Sequence, residues 1–471
     1  MSNARPRSDA GAPANRPPRR LKVALLGGGG FRTPMVHAGL LSRQANLPVD
    51  ELCLFDVEQR RLDRIAPVLA GQAQERAQDR TRERAGGDPI PVRTTTVLAD
   101  AVEDADLVLC AIRVGGLEGR AADEGAALRL GLLGQETVGA AGILFALRSI
   151  PAMCTIAHVV AERAPRAHLL NFTNPAGVVT EALTPILGDR VLGICDSPSA
   201  LMARVAKALG RAPRRLRFDY AGLNHLGWLL AARDEAGQDL LPALLQDEER
   251  LATIEEAQLF GMEWLRTLGV IPNEYLFYYE RTAAAIAEMG RSGTRGASLL
   301  RAQSAFYAGS EDSPRAALAA WRAARDQRER TYLQEAGEHV HQPAASDEGG
   351  YADVALDVAE ALHGAAPAVA VLNVPNRGAL PFLHDDAVVE VPCLVDRLGA
   401  RPLLQPPLPA HARARVELLK AIDRLVLQAA RDRSPGALLE AFALHPLFGG
   451  LDTARELRDL TLHAGKMVPR D

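Results

Sequence analysis

Two short fragments carry residue types that could hold a metal ion. In GICDSPSAL, residues 193–201, Cys195 and Asp196 follow the apolar run RVLGI, and in GLNHLGW, residues 222–228, Asn224 and His225 interrupt an otherwise apolar stretch. One thiolate and one imidazole suit a borderline divalent cation such as Mn²⁺. A structural site normally takes four ligands, so with only these two a substrate would have to complete the shell. Each residue also has a quieter reading: Cys195 as a small buried hydrophobe, His225 as a core histidine with its hydrogen bonds met. What favours the metal is place, because Cys195 closes an apolar strand at the sheet edge where ligands collect.

A second cluster suits a phosphate. GGGGFRTP follows the apolar run LKVALLG and precedes a helix. Glycine lets the backbone approach a phosphate closely, and the helix start offers unpaired N–H groups at the positive end of its dipole. Asp56 closes the next strand, ELCLFD. A carboxylate there accepts both ribose hydroxyls and repels a 2′-phosphate, so the expected cofactor is NAD rather than NADP. Its contacts are expected from Gly27, Gly28, Gly29, Gly30, Phe31, Arg32 and Asp56. The run is not a clean G-x-G-x-x-G, since Arg32 and Thr33 occupy its final positions.

The elements that must position these residues alternate. LKVALLG, ELCLFD, ADLVLCAI, AHLLNFTNP and RVLGICDSP read as buried parallel strands, with helical spacing in MVHAGLLSRQ and VEQRRLDRIAPVLAGQAQERAQ. The expected fold is α/β: an N-terminal Rossmann-like, doubly wound parallel sheet over residues 21–196 and a C-terminal α+β domain over 197–471, in the layout of lactate and malate dehydrogenases. In the second half RRLRFDYAGLNHLGWLLAAR reads as paired strands, RARVELLKAIDRLVLQAARD and GALLEAFALHP as helices, and SPRAALAAWRAARDQRERTYLQEAG as helix with a solvated charged face.

With 471 residues, 48% of them hydrophobic, the chain can bury a large core. A net charge of −4 and no aromatic-basic stripe argue against a nucleic-acid partner. Five cysteines, an odd number set mostly in apolar strands, suit free thiols in a cytoplasmic protein. Residues 1–20 are basic and rich in Pro and Ala, without the apolar stretch of a signal peptide, and are expected to be a disordered tail. No run of uninterrupted apolar residues reaches membrane-spanning length, so no membrane partner is expected.

The chain resembles glycoside hydrolase family 4, the NAD- and metal-dependent glycosidases, and within it the 6-phospho-β-glucosidases. The likeness is carried by IRVGGLEGRAADEGAALRLGLLGQETVGAAGILFALRSIP, LLNFTNPAGVVTEAL, GICDSP, GLNHLGW, IPNEYLFYY and GALPFLHDDAVVEVPCLV, and it covers essentially everything from residue 21 onward. It implies hydrolysis outside the two-carboxylate pattern of most glycosidases. NAD⁺ removes a hydride from sugar C3, a base takes the acidified C2 proton, the leaving group departs from C1, water adds and the hydride returns. The metal, bound through the sugar's C2 and C3 oxygens, stabilises the enolate.

By the family pattern Cys195 and His225 are the metal ligands, Tyr275 in NEYLFYY is the base, and Asp196 protonates the leaving oxygen. Tyr278 and Tyr279 lie close enough in sequence to compete for the base role. Asn174 and Asn171 of NFTNP are expected to contact a phosphorylated disaccharide or glucoside, Arg113 after LCAI and Arg295 in SGTRG to meet its 6-phosphate or nearby active-site charge, and Glu136 of GQET to line the same cleft, hydrogen-bonding the sugar or ordering metal-bound water. Asp rather than Asn after the cysteine departs from many β-specific members and is familiar in the 6-phospho-α-glucosidase branch. The resemblance further implies a homodimer or homotetramer.

Two other readings share the layout. A 2-hydroxy acid dehydrogenase would release NADH, but its catalytic histidine motif is not found downstream and it would leave the Cys/His pair unexplained. An NAD-sensing regulator would not need Cys195, His225 and Tyr275 together.

Overall fold

The computed structural model describes residues 20–83, 89–329, 350–364 and 366–463. The expected tail, residues 1–20, lies outside them but for Arg20.

Six short strands, β1 (Leu21–Leu26), β2 (Val49–Phe55), β3 (Val92–Thr95), β4 (Leu107–Cys110), β5 (His168–Asn171) and β6 (Val191–Gly193), pair in parallel in the order β3-β2-β1-β4-β5-β6. This is the doubly wound order, and it follows from apolar runs buried on both faces with helical crossovers between them. The helices of this half include α1 (Thr33–Ser42), α2 (Gln59–Glu83), α3 (Leu98–Val102), α4 (Gly116–Arg129), α5 (Gly139–Arg163), α6 (Ala176–Leu187) and α7 (Ser197–Ala208). β3 carries no apolar signal in the sequence, because VRTT at the sheet edge buries no apolar run.

The strands of the second half extend the same sheet. β7 (Arg217–Leu223), β8 (Leu226–Arg233), β9 (Ile271–Pro272), β10 (Ala368–Pro375) and β11 (Val388–Asp396) continue it antiparallel in the order β6-β10-β11-β7-β8-β9, and β12 (Gly399–Pro402) pairs with β11. At two seams a single register pair is formed: Asn373 opposite Gly193 between β10 and β6, and Glu390 opposite Gly222 between β11 and β7.

Helix α5 is long and apolar enough to cross a membrane by length and composition. Here Ile143, Leu147, Ile150, Met153 and Val160 are buried in the core, and the helix Ala410–Asp432 packs on it. The helix Pro314–Glu329 has the charged outer face expected of its sequence and an apolar inner one. Ala317, Leu318 and Trp321 are buried, and the helix packs on α2.

Candidate active site

His225 occupies the tight turn between β7 and β8, where Leu223 pairs with Leu226. Its backbone is left-handed, φ 62°, a conformation that costs a non-glycine residue of order 1 kcal/mol. The side chain is 3% exposed, and burial holds its pKa down at about 3, so the ring is neutral. Nδ1 lies 2.8 Å from the Thr137 hydroxyl, which in turn lies 3.1 Å from Gln135 Oε1. Because the Gln135 carbonyl oxygen only accepts, Thr137 donates to it and accepts from Nδ1–H. The tautomer this sets leaves a lone pair on Nε2, which is buried without a hydrogen-bond partner. A neutral imidazole so oriented is a metal donor.

Tyr275 stacks on that ring, with centroids 3.6 Å apart and planes 4° from parallel. Of the three tyrosines in NEYLFYY only Tyr275 makes this contact; Tyr279 stacks on His445, at 6.4 Å. Burial first, then the charges of Cys195, Glu274 and Asp196, hold the Tyr275 hydroxyl well above its ordinary pKa, while Arg32 acts the other way. A phenol in that setting serves as a base only when positive charge is close.

Cys195 follows β6 and is buried. Burial, then the carboxylates of Glu390 and Asp196, push its thiol up. Among the described residues no three His, Cys, Asp or Glu side chains form a metal cluster; Cys195 and His225 offer one thiolate and one imidazole, and a cation held by that pair would need a substrate to complete its shell. The donor set fits such an ion. Asp196 stands at the start of α7, half-buried.

A guanidinium cluster gathers around Glu136. Arg113 and Arg120 both pair with Glu136, Arg120 at 2.7 Å, and Arg120 also holds Glu124, whose Oε2 accepts the Gly296 N–H at 2.8 Å. Burial and the like charges of Arg120, Arg32 and Arg328 push Arg113 well below its ordinary value. Arg295 reaches Arg328, donating to its carbonyl at 3.4 Å. Arg113, Glu136 and Arg295 thus come together, and such a concentration of guanidinium groups favours a dianion such as a phosphate monoester. Arg120, Arg32 and Arg328 in this role were not read from the sequence, since nothing in spacing sets one arginine apart from the other basic residues.

The two asparagines of NFTNP part company. Asn174, before a cis bond to Pro175, is half-buried. Asn171 is fully buried and its amide is used inside the turn, donating to Thr180 Oγ1 at 3.2 Å and accepting the Thr173 N–H at 2.9 Å. Asn171 therefore shapes the turn through its amide.

The glycine loop lies between β1 and α1. Gly27 is left-handed, φ 83°, and its N–H and that of Gly28 both donate to Phe55 O. A Cβ on Gly29 would sit 2.8 Å from Asp56 Oδ2, the atom that accepts the Gly29 N–H at 3.1 Å. Asp56 also accepts the Glu58 N–H, and the remaining lone pairs of its carboxylate fit a ribose diol. The Phe31 ring packs against Phe306 and Trp321, 5.6 and 5.9 Å away, and its carbonyl accepts the Trp321 Nε1–H. Tyr307 donates to Gly29 O at 2.7 Å. The second half of the chain thereby packs over the nucleotide loop, a relation no local pattern announces.

Behind the Cys-Asp and Asn-Glu-Tyr segments Arg204 of α7 pairs with Glu256 and lies 3.7 Å from Glu274. Burial raises Glu274, and it shares a side-chain hydrogen bond with Ser197. Glu390, buried on β11, is raised to about 7 by burial while Asn224, Asn373 and Tyr220 donate to it. VVEVP contains that glutamate, and a charge between apolar residues was the signal available.

Family models describe the two halves of the chain. One for family 4 glycosyl hydrolase matches residues 22–211 and one for the family's C-terminal domain matches residues 220–448. A probable 6-phospho-beta-glucosidase of Bacillus subtilis is 31% identical over 95% of this chain and 96% of its own. The structure of the 6-phospho-beta glucosidase from Thermotoga maritima with NAD and glucose-6-phosphate superposes with a TM-score of 0.80, at 25% identity, covering 95% of this chain and 99% of that one. That of a 6-phospho-alpha-glucosidase from gut microorganisms with NAD and Mn²⁺ gives 0.78, at 26% identity, covering 96% and 100%.

Proposed function

The chain belongs to glycosyl hydrolase family 4, and from that premise we propose that it cleaves 6-phosphoglucosides, β-anomers first, releasing glucose 6-phosphate. The observation that carries the reading is the neutral His225 ring, with Nε2 bare and Tyr275 stacked on its face. The β preference is supported by the Bacillus subtilis relative. Asp196 after the cysteine, and the α-specific structural neighbour, favour cleavage of α-anomers as a second reading.

We read residues 21–196 as the NAD-binding unit and the remainder as the part that supplies His225, Tyr275 and Arg295. When bound, NAD⁺ supplies reversible oxidation at sugar C3 and a divalent cation supplies Lewis-acid stabilisation of negative charge at the C2 and C3 oxygens. Asp56 and the Gly27–Gly30 loop hold the nucleotide, and Cys195 Sγ and His225 Nε2 hold the cation. Arg113 and Arg295 grip the 6-phosphate and Asn174 orients the sugar. Glu136 keeps two guanidinium groups in place. Tyr275 Oη takes the C2 proton, and Asp196 protonates the oxygen leaving C1. A reducing, cytoplasmic setting is supported by five cysteines standing as free thiols.

The test is hydrolysis of nitrophenyl glucoside 6-phosphates of both anomers, with and without NAD⁺, Mn²⁺ and a thiol reductant. Turnover should require both cofactor and metal, with no net NADH at steady state, and the faster anomer decides between the two specificities. Turnover that survives removal of both would end the reading.

A further inference from the structure

We propose that Glu390 is a positioning residue, the shared acceptor that holds the His225, Tyr275 and Pro175 turns in register; the inference rests on the glycosidase reading above. Glu390 is fully buried on β11. Its Oε1 accepts from Asn224 Nδ2 at 3.2 Å and Asn373 Nδ2 at 3.0 Å, and its Oε2 accepts the Tyr220 hydroxyl at 3.1 Å.

Each donor leads to a different part of the site. Asn224 adjoins His225, and its Oδ1 accepts the N–H of Ala176, the residue after Pro175, at 3.1 Å. Asn373 stands in register with Gly193, two residues before Cys195. The Tyr220 oxygen accepts from Asn273 Nδ2 at 3.1 Å, and Asn273 Oδ1 accepts the Tyr275 N–H at 3.1 Å. One carboxylate therefore joins segments distant in sequence, and two of its donors lead on by hydrogen bonds to Ala176 and Tyr275.

The packing admits these bonds only because glycines stand opposite. A Cβ on Gly227 would lie 2.1 Å from the Tyr220 hydroxyl, and one on Gly193 would lie 2.6 Å from Asn373 Cβ. Burying a carboxylate is costly unless its lone pairs are met, so three convergent donors mark a network whose geometry is set as a unit. Glu390 has its oxygens committed to these donors, which leaves it to act through the groups it holds.

Glu390→Gln keeps the size but turns one acceptor into a donor facing the Tyr220 oxygen, which already accepts from Asn273. Tyr220→Phe cuts only the arm that leads to Tyr275. With glucose 6-phosphate present, Mn²⁺ affinity is read by electron paramagnetic resonance, NAD⁺ affinity by fluorescence titration, and kcat on the nitrophenyl substrate. Glu390→Gln should weaken Mn²⁺ binding about tenfold and lower kcat further, with NAD⁺ affinity unchanged. Tyr220→Phe should lower kcat about tenfold and leave Mn²⁺ affinity alone. A purely structural role would lower Tm and the active fraction without touching the Mn²⁺ affinity of the folded protein, and that result overturns the proposal. Should Glu390→Gln not fold, an unchanged kcat in Tyr220→Phe overturns it alone. A wild-type protein that neither binds Mn²⁺ nor cleaves the substrate instead removes the glycosidase reading, and this inference with it.

Discussion

The His225 and Tyr275 rings lie face to face, 3.6 Å between centroids. The side chain that would hold a cation is thus in contact with the one that would take the proton. Tyr275→Phe keeps the stack and removes only the hydroxyl. It should lower kcat by roughly 10²- to 10⁴-fold, the span of general acid–base contributions, while Mn²⁺ and NAD⁺ affinities stay near wild type. Steady-state kinetics beside direct titrations check this; loss of Mn²⁺ binding in the variant would mean that the hydroxyl serves the cation rather than the proton.

Thr137 and Gln135 set the histidine tautomer. Thr137→Val removes the acceptor for Nδ1–H and frees the ring to place its proton on Nε2. Mn²⁺ affinity should fall about 10- to 100-fold, as for other partners that orient a ligating histidine, with NAD⁺ binding unchanged. Equal losses of both would point to general disruption.

Asp56 accepts the Gly29 N–H and is the proposed acceptor for the ribose hydroxyls. In Asp56→Asn the negative charge is lost, so NAD⁺ should bind about tenfold more weakly, the cost of about 1.4 kcal/mol expected for one charge-assisted hydrogen bond. The preference for NAD⁺ over NADP⁺ should narrow, because a 2′-phosphate no longer meets a carboxylate. Binding isotherms for the two nucleotides decide it.

His445 carries a pH dependence of stability. Burial lowers its pKa from 6.5 to about 3, and its Nδ1 accepts the Leu447 N–H. Between those two values the unfolded chain binds a proton that the folded chain does not, so stability falls as pH falls below about 6.5. His445→Phe removes this contribution. Between pH 7 and pH 5 the wild type should lose roughly 2 kcal/mol more than the variant, measured by urea unfolding at both values. Parallel losses would show that His445 titrates normally.

The parallel half of the sheet was legible because its strands are unbroken apolar runs ending in distinctive residues, as ELCLFD ends in Asp56. β3 was not, because VRTT at an edge has no such run. Cys195, His225 and Tyr275 were legible from motif resemblance, but their company was not. Thr137, Glu390 and Asn273 act through contacts between residues far apart in sequence, and no local period records those. Asn171 and Asn174 look equivalent in NFTNP; only the fold shows that one amide is spent within the turn. Nor does the loop sequence announce that Phe306 and Trp321 pack around the Phe31 ring.

The account stands on Tyr275 removing a proton from C2 of the sugar. A nitrophenyl glucoside 6-phosphate carrying deuterium at C2, turned over in ordinary water, tests this directly by mass spectrometry of the released sugar phosphate. Loss of the label to solvent is predicted, in step with cleavage, and a primary isotope effect on kcat should appear wherever this step limits the rate. Complete retention of deuterium at C2 would contradict the account.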